Sequence, residues 1–182
     1  MKRALIFILS VFFASSFLGA SLSGRISISE EIAYQKYNKI WESPSSQYFS
    51  VESIASNPTL GCSFDYLFGN TFGITVESEV GYQFSINDKN RFVTFPKNIN
   101  GTIGTGVVID FRSIRFSLSA LLRSSFQLSR NAWVSQAGGK IGFAYTFPCG
   151  MNLIMNYKYL VSYKMITSAF TFGLGYQFGG KE

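Results

Sequence analysis

The 182-residue chain contains no histidine, which removes the commonest general base and a frequent metal ligand. It has two cysteines, Cys62 and Cys149, and two isolated thiols without histidine do not make a zinc site. An exported chain could pair them. By the strand pattern, however, Cys62 lies mid-strand and Cys149 lies in an end turn of a distant strand pair. A disulfide needs Cα atoms within about 7 Å, so both thiols are expected to stay free. Charge is scarce: 14% of residues are charged, where an ordinary soluble domain has roughly a quarter. The net charge of +6 falls to +4 without Lys2 and Arg3 and is scattered. It does not form a nucleic-acid surface, although it suits a loose attraction to anionic lipid headgroups. Long apolar runs are also missing. The one apolar stretch, Ala4 to Leu18, is broken by Ser10, Ser15 and Ser16 and is too short for a spanning helix, which needs roughly 18–20 residues.

That stretch follows Met1-Lys2-Arg3 and precedes the small residues Gly19, Ala20 and Ser21, the layout of a cleavable secretory signal. Cleavage is expected after Ala20 or Ser21, giving a signal over 1–21 and one domain over 22–182. No cysteine follows the apolar run, so a lipoprotein anchor is not expected. An uncleaved anchor helix is the alternative.

Beyond the signal the chain is rich in what a transmembrane helix lacks: alternation. Eight segments place apolar residues at every second position, the mark of a strand with two different faces. They are 23–36, 59–68, 71–85, 101–111, 114–126, 134–147, 151–164 and 167–178. Gly69-Asn70, Arg112-Ser113 and Pro148-Cys149-Gly150 make short turns after the second, fourth and sixth segments. The intervening connections are longer, over 37–58, 86–100 and 127–133, with a short one near Met165-Ile166. Transmembrane barrels show this alternation of short turns and long outer loops.

Period two does not say which face is out. The non-apolar faces carry threonine, glycine and few charges, as with Thr71, Thr75, Glu77, Glu79 and Gln83 on the third segment. A water-facing wall would be rich in Lys and Glu, whereas small residues with a few charges suit a narrow lumen. Aromatics near both ends of the apolar face would make two interfacial girdles. The expected fold is therefore an all-β, eight-stranded antiparallel up-and-down transmembrane barrel in an outer membrane.

Six inward charges fall at similar depth: Glu31, Glu77, Glu79, Arg123, Lys140 and Lys158. A one-residue slip would put the three cations into lipid at about 2–4 kcal/mol each, so the register is well specified. Inside, unpaired charge is costly, and a structural lattice of ion pairs filling the lumen is expected. A switchable gate is the alternative. Glu30 does not fit, since unbroken alternation turns it to lipid. A bulge near Glu30-Glu31 would turn it inward, and otherwise the register there is off by one.

The chain resembles the small OmpX/OmpA-type outer-membrane barrels. The resemblance rests on eight amphipathic strands, alternating connection lengths and a closing strand ending Gly175-Tyr176-Gln177-Phe178. It implies that Tyr176 and Phe178 belong to the signal read by the barrel-assembly machinery. Here Gly179-Gly180-Lys181-Glu182 follow, where the family usually stops at the aromatic. Barrel enzymes of this kind use a histidine. Ser162 near Lys164 is the nearest substitute, and lumen lining with a strand cap explains it better. No enzyme activity and no cofactor are expected.

The first long connection offers Tyr37, Trp41, Tyr48 and Phe49 as contact aromatics, and the second offers Lys89, Arg91 and Lys97 to lipopolysaccharide-type phosphates or an acidic partner. The expected partners are outer-membrane lipid and lipopolysaccharide-type headgroups, the assembly machinery and a surface or host protein, with the barrel itself a monomer. Three roles stay open. The first is surface interaction, adhesion or envelope integrity. The second is a narrow channel or OmpW-like conduit lined by Val108, Leu121, Ile154 and Leu160. The third is a soluble, periplasmic, lipocalin-like ligand-binding barrel.

Overall fold

The computed structural model describes residues 21–40, 49–69, 71–86, 97–129, 131–163 and 165–179. Of the proposed signal over 1–21, residues 1–20 lie outside the described residues, and Ser21 opens the first strand. The chain forms eight strands: β1 (Ser21–Ile40), β2 (Phe49–Phe68), β3 (Phe72–Ser85), β4 (Asn98–Phe111), β5 (Ile114–Gln127), β6 (Ala132–Thr146), β7 (Met151–Val161) and β8 (Met165–Gly179). Each pairs antiparallel with the next, and β8 pairs with β1 to close a barrel. A circuit of cross-strand partners that leaves β1 at Gly24 passes Phe64, Val76, Thr105, Ala120, Gly139, Tyr159 and Ser168 and returns to β1 at Tyr34. This stagger of ten residues around eight strands tilts them by roughly 35–45°.

The turns follow local chemistry. Gly69, Arg112 and Gly150 take positive φ in the three tight turns at one rim, hereafter the turn rim. The opposite, loop rim carries the longer connections. The link between β5 and β6 is shorter than the alternation suggested: Gln127 pairs directly with Ala132, and Asn131 supplies the left-handed residue. β7 ends at Val161 rather than Lys164, and Ser162 holds the next turn through Met165.

The largest departure from the sequence pattern is β2, which begins ten residues before Thr59. Ser50 to Asn57 lacks apolar alternation, and Pro58 normally argues against a strand interior. Proline is accommodated because the β2–β3 ladder is interrupted there. Ser56 pairs with Phe84 and Thr59 with Gly81, while Asn57 and Pro58 have no β3 partner. On the other side pairing with β1 runs through without a break. Phe49 therefore belongs to β2 and Tyr37 to β1. Only residues 41–48 separate these strands, in place of a loop over 37–58.

The apolar face points outward. Ile28, Leu60, Val80, Ile103, Leu118, Ile141 and Leu174 are exposed, and the lumen is lined by buried polar and charged side chains. Monomeric soluble proteins rarely expose contiguous apolar patches beyond a few hundred Å². This polarity overturns the lipocalin-like alternative, which needs the apolar face inside. Phe72, Phe111, Phe147, Tyr176 and Phe178 mark the turn rim of the outer wall, and Tyr34, Tyr82, Phe84, Trp133 and Tyr163 mark the loop rim.

Packing across the strands is tight at Gly138, on the lumen side of β6. A Cβ there would lie 1.9 Å from the backbone oxygen of Tyr159 and 2.8 Å from the Leu160 Cα. At neighbouring Gly139, on the outer side, the nearest atom would be 3.6 Å away. Gly138→Ala is expected to lower unfolding stability in detergent–urea titrations by about 1–3 kcal/mol. Gly139→Ala should stay within about 0.5 kcal/mol of the parent. Equal effects at the two positions would contradict this packing.

Candidate functional site

The lumen is the one place where chemistry is concentrated, and the pleat dictates who enters it. Odd-numbered residues of β1, β2 and β3, even-numbered residues of β4, odd-numbered residues of β5 and even-numbered residues of β6 and β7 all turn inward. At the centre lies Glu31, fully buried. Arg123 grips it with two parallel bonds, Nη1 to Oε1 at 2.8 Å and Nη2 to Oε2 at 2.6 Å. The Lys158 ammonium donates to the same Oε2 at 2.8 Å, and Asn57 Nδ2 donates to Oε1 at 3.1 Å. Lys158 also donates to Glu79 Oε2, and Lys140 donates to Glu77 Oε2. The Arg123 Nε–H donates to Thr102 Oγ1 at 3.1 Å. All six charges singled out from the alternation thus meet as donors and acceptors within one lumen. Bidentate, charge-assisted bonds of this kind are the strong members of their class.

Two further layers flank the centre. Toward the loop rim is an amide layer. Gln83 donates to Gln35 at 2.9 Å, and Asn100 donates to Gln83 at 3.1 Å and to Asn57 at 3.3 Å. Through Asn57 this layer is hydrogen-bonded to Glu31. Toward the turn rim, Arg115 Nη2 donates to Asp65 at 2.5 Å and to Thr75 at 3.2 Å, with Arg25 and Asp110 buried nearby. The alternation reading missed these four charges because it singled out one depth. Their own inward positions on β1, β2, β4 and β5 are the signal that would have found them.

The acidic lining residues Glu31, Asp65, Glu77, Glu79 and Asp110 and the basic ones Arg25, Arg115, Arg123, Lys140 and Lys158 balance in formal charge. Between the central and turn-side layers lies a cavity of about 30 Å³, lined by Arg25, Arg115, Glu77, Glu79 and Lys140 among others. That is room for a water or two. The inward apolar residues Val108, Leu121, Ile154 and Leu160 are buried among these polar layers. The buried apolar residues that group together are Ala33, Ala55 and Ala169.

Glu30 corrects both sequence alternatives. There is no bulge and no register error, because pairing runs unbroken from Ser21↔Leu67 to Tyr37↔Val51. Glu30 faces outward. Its Oε1 accepts the Ser56 hydroxyl and, at 3.2 Å, the Asn57 backbone N–H. The carboxylate thus serves backbone and hydroxyl donors beside the ladder gap at Pro58.

The surface residues are dispersed. Tyr37 lies on β1, half-buried on the lumen side, and its hydroxyl donates to Gln35 at 3.2 Å. Phe49 is in β2. Trp41, Tyr48, Lys89 and Arg91 lie outside the described residues. Lys97 is exposed, and its carbonyl accepts the Leu128 N–H at 2.9 Å. Tyr176 and Phe178 sit on the outer wall of β8. The Phe178 ring meets Phe64 edge-on at 6.4 Å over Gly24. Both cysteines are free, Cys62 on the outer wall and Cys149 exposed in its turn. Among the described residues, no group of three or more His, Cys, Asp or Glu could hold a metal.

No protein-family model matches this chain, and no curated protein matches it in sequence. Solved structures do match its backbone. Neisserial surface protein A aligns with a TM-score of 0.51 at 15% identity, over 88% of this chain and 99% of that one. The Yersinia pestis outer membrane protein Ail, in a phospholipid bilayer nanodisc, aligns with a TM-score of 0.50 at 14% identity, over 85% and 99%. The outer membrane protein AlkL, in lipid bilayers, aligns with a TM-score of 0.50 at 10% identity, over 90% and 92%. The chain has the fold of the small eight-stranded outer-membrane β-barrels.

Glu31 should be the costliest lumen residue to lose. Glu31→Leu leaves both Arg123 and Lys158 buried without their shared carboxylate, at about 3–5 kcal/mol. Glu77→Gln deprives only Lys140 of its charged partner and should cost less, about 1–3 kcal/mol. Urea midpoints of the refolded variants check the order, and a Glu77→Gln loss exceeding that of Glu31→Leu would contradict it.

Proposed function

We propose that this chain is an integral outer-membrane barrel without catalytic activity, whose lumen is a structural plug and whose working part is its outer surface. The carrying observation is the Glu31–Arg123–Lys158 knot, in which two buried cations share one buried carboxylate across the barrel. A lumen filled by paired side chains is the ordinary state of an eight-stranded barrel. Glu77, Glu79 and Lys140 extend the plug. This leaves recognition to the loop rim, where β1 and β2, at twenty residues each, outrun their neighbours.

Beyond Met165↔Tyr37 and Ser85↔Ala55 the two strands continue as a ribbon of their own to Ile40↔Phe49. In sequence the connection between these two strands contains the aromatics Trp41 and Tyr48, and the next long connection contains the basic residues Lys89, Arg91 and Lys97. Contact with a surface or host protein, or with lipopolysaccharide-type phosphates, fits this chemistry. Tyr176 and Phe178 on the closing strand fit recognition by the assembly machinery. The charge-lined lumen favours this reading over a greasy conduit, because Val108, Leu121, Ile154 and Leu160 are interrupted by ion pairs.

Two measurements test it. In planar bilayers the refolded protein should give no stepwise conductance, whereas a steady open channel in the parent would sink the plug. Replacing residues 38–50 by a two-residue turn should keep the heat-dependent shift in gel mobility that marks a closed barrel. The same variant, in vesicles, should lose at least tenfold in binding to immobilised host cells. Undiminished binding would move the function away from the ribbon.

A further inference from the structure

Between its aromatic girdles the outer wall carries one formally charged side chain among the described residues, Glu30. Its depth follows from the register. On β1 it stands four residues from Tyr34 of the loop-rim girdle and four from Ile26, whose β8 partner is Tyr176 of the turn-rim girdle. Glu30 is therefore midway through the apolar belt, where an ionisable residue is costly and marks function by default. Only half of its carboxyl is used. Oε1 takes the Ser56 hydroxyl and the Asn57 N–H, while Oε2 has no hydrogen bond among the described residues.

Around it the wall is apolar. Ile26, Ile28, Pro58, Phe172, Leu174 and Tyr176 edge a shallow groove of about 720 Å³ beside Glu30. Hydrocarbon offers Oε2 nothing, and lipid headgroups do not reach this depth. The occupant must bring a hydrogen-bonding group at mid-membrane depth on an otherwise apolar surface. A second copy of this chain meets both conditions by symmetry. A two-fold axis along the membrane normal keeps every residue at its own depth and brings like patches together.

We propose that the wall around Glu30 on β1, β2 and β8 is a self-association surface on which two copies pair through their Glu30 carboxyls. The two groups share one proton: the O–H of one carboxyl donates to the Oε2 of the other. One negative charge is thereby spread over two residues, and polar groups that meet in hydrocarbon act as glue. This inference rests on the membrane-barrel reading. The heat-dependent mobility shift tests that reading separately, since it reports a closed barrel whether or not copies pair.

The native Cys62, also on the outer wall of β2, provides a reporter once Cys149 is replaced by serine. The Cys149→Ser protein is reconstituted in phospholipid vesicles at low protein density and treated with a bis-maleimide. A cross-linked dimer is expected, retained in Glu30→Gln, whose amide can both donate and accept. It should fall at least fivefold in Glu30→Leu, which places the wall's ordinary residue type at that position and should keep the barrel closed. Ile28→Trp, which leaves the carboxyl in place but fills the groove, should also reduce it. Sedimentation in detergent provides a check independent of the thiol. A monomeric parent by both methods overturns the proposal, as does a Glu30→Leu dimer as abundant as the parent's.

Discussion

Everything in this structure depends on the requirement that backbone N–H and C=O groups be satisfied without water. In hydrocarbon each unsatisfied group costs several kcal/mol, so a strand can cross only as part of a closed ladder. Closure of eight strands with a ten-residue stagger then fixes the tilt and the bore. The bore is too narrow to remain a water column and too polar, by the pleat, to be greasy. The side chains that enter it must satisfy one another, and the three lumen layers are the outcome. The interruption of the β2–β3 ladder at Asn57 and Pro58 is where a side-chain carboxylate from β1 comes to the backbone.

The charges inside have a second consequence. Since the pleat has period two, they tie the strands that carry them, β1 to β7, to one register. The bond from Arg123 to Glu31 joins β5 to β1, and Lys158 joins β7 to β1 and β3. These ties run across the lumen, between strands that do not pair. A buried ion pair is a weak source of stability compared with apolar packing, but it distinguishes the native register from its neighbours strongly. In a wall made mostly of interchangeable Ile, Leu, Val and Phe, such specificity has to come from inside.

The alternation of apolar residues was enough to read the strand count and the connectivity from the chain alone, and the small, sparsely charged residues of the opposite face told which side is inward. That legibility has a simple origin: each strand borders lipid on one side and lumen on the other, so every second residue reports its environment. It failed at Ser50 to Pro58, where Ser53, Ser56, Asn57 and a proline interrupt the pattern while pairing with β1 holds the strand. At Glu30 the unbroken alternation was right to turn the side chain outward, but no local pattern reveals the Ser56 and Asn57 donors from β2 that meet it there. The lumen charges were legible as a set, but their partners were not. Pairing Glu31 with Arg123 rather than with Lys140 depends on tilt and stagger, which are properties of the closed barrel. Arg25, Asp65, Asp110 and Arg115 were equally inward and were overlooked because they lie nearer one rim.

The closing seam between β8 and β1 sets the order of events during assembly. Seven of the eight ladders join strands adjacent in sequence and can form as hairpins, whereas Ser23 and Gly179 meet only when the two ends of the sheet come together. The bonds from Arg123 and Lys158 to Glu31 span 92 and 127 residues and cross a space that exists only after that meeting. They contribute little to the encounter and much to the persistence of the closed state. Interactions absent while the seam is still open do not speed its closure, and they raise the barrier to reopening. The central knot is thus a latch in the kinetic sense, and the lifetime of the closed barrel rests on it more than the rate of its formation does.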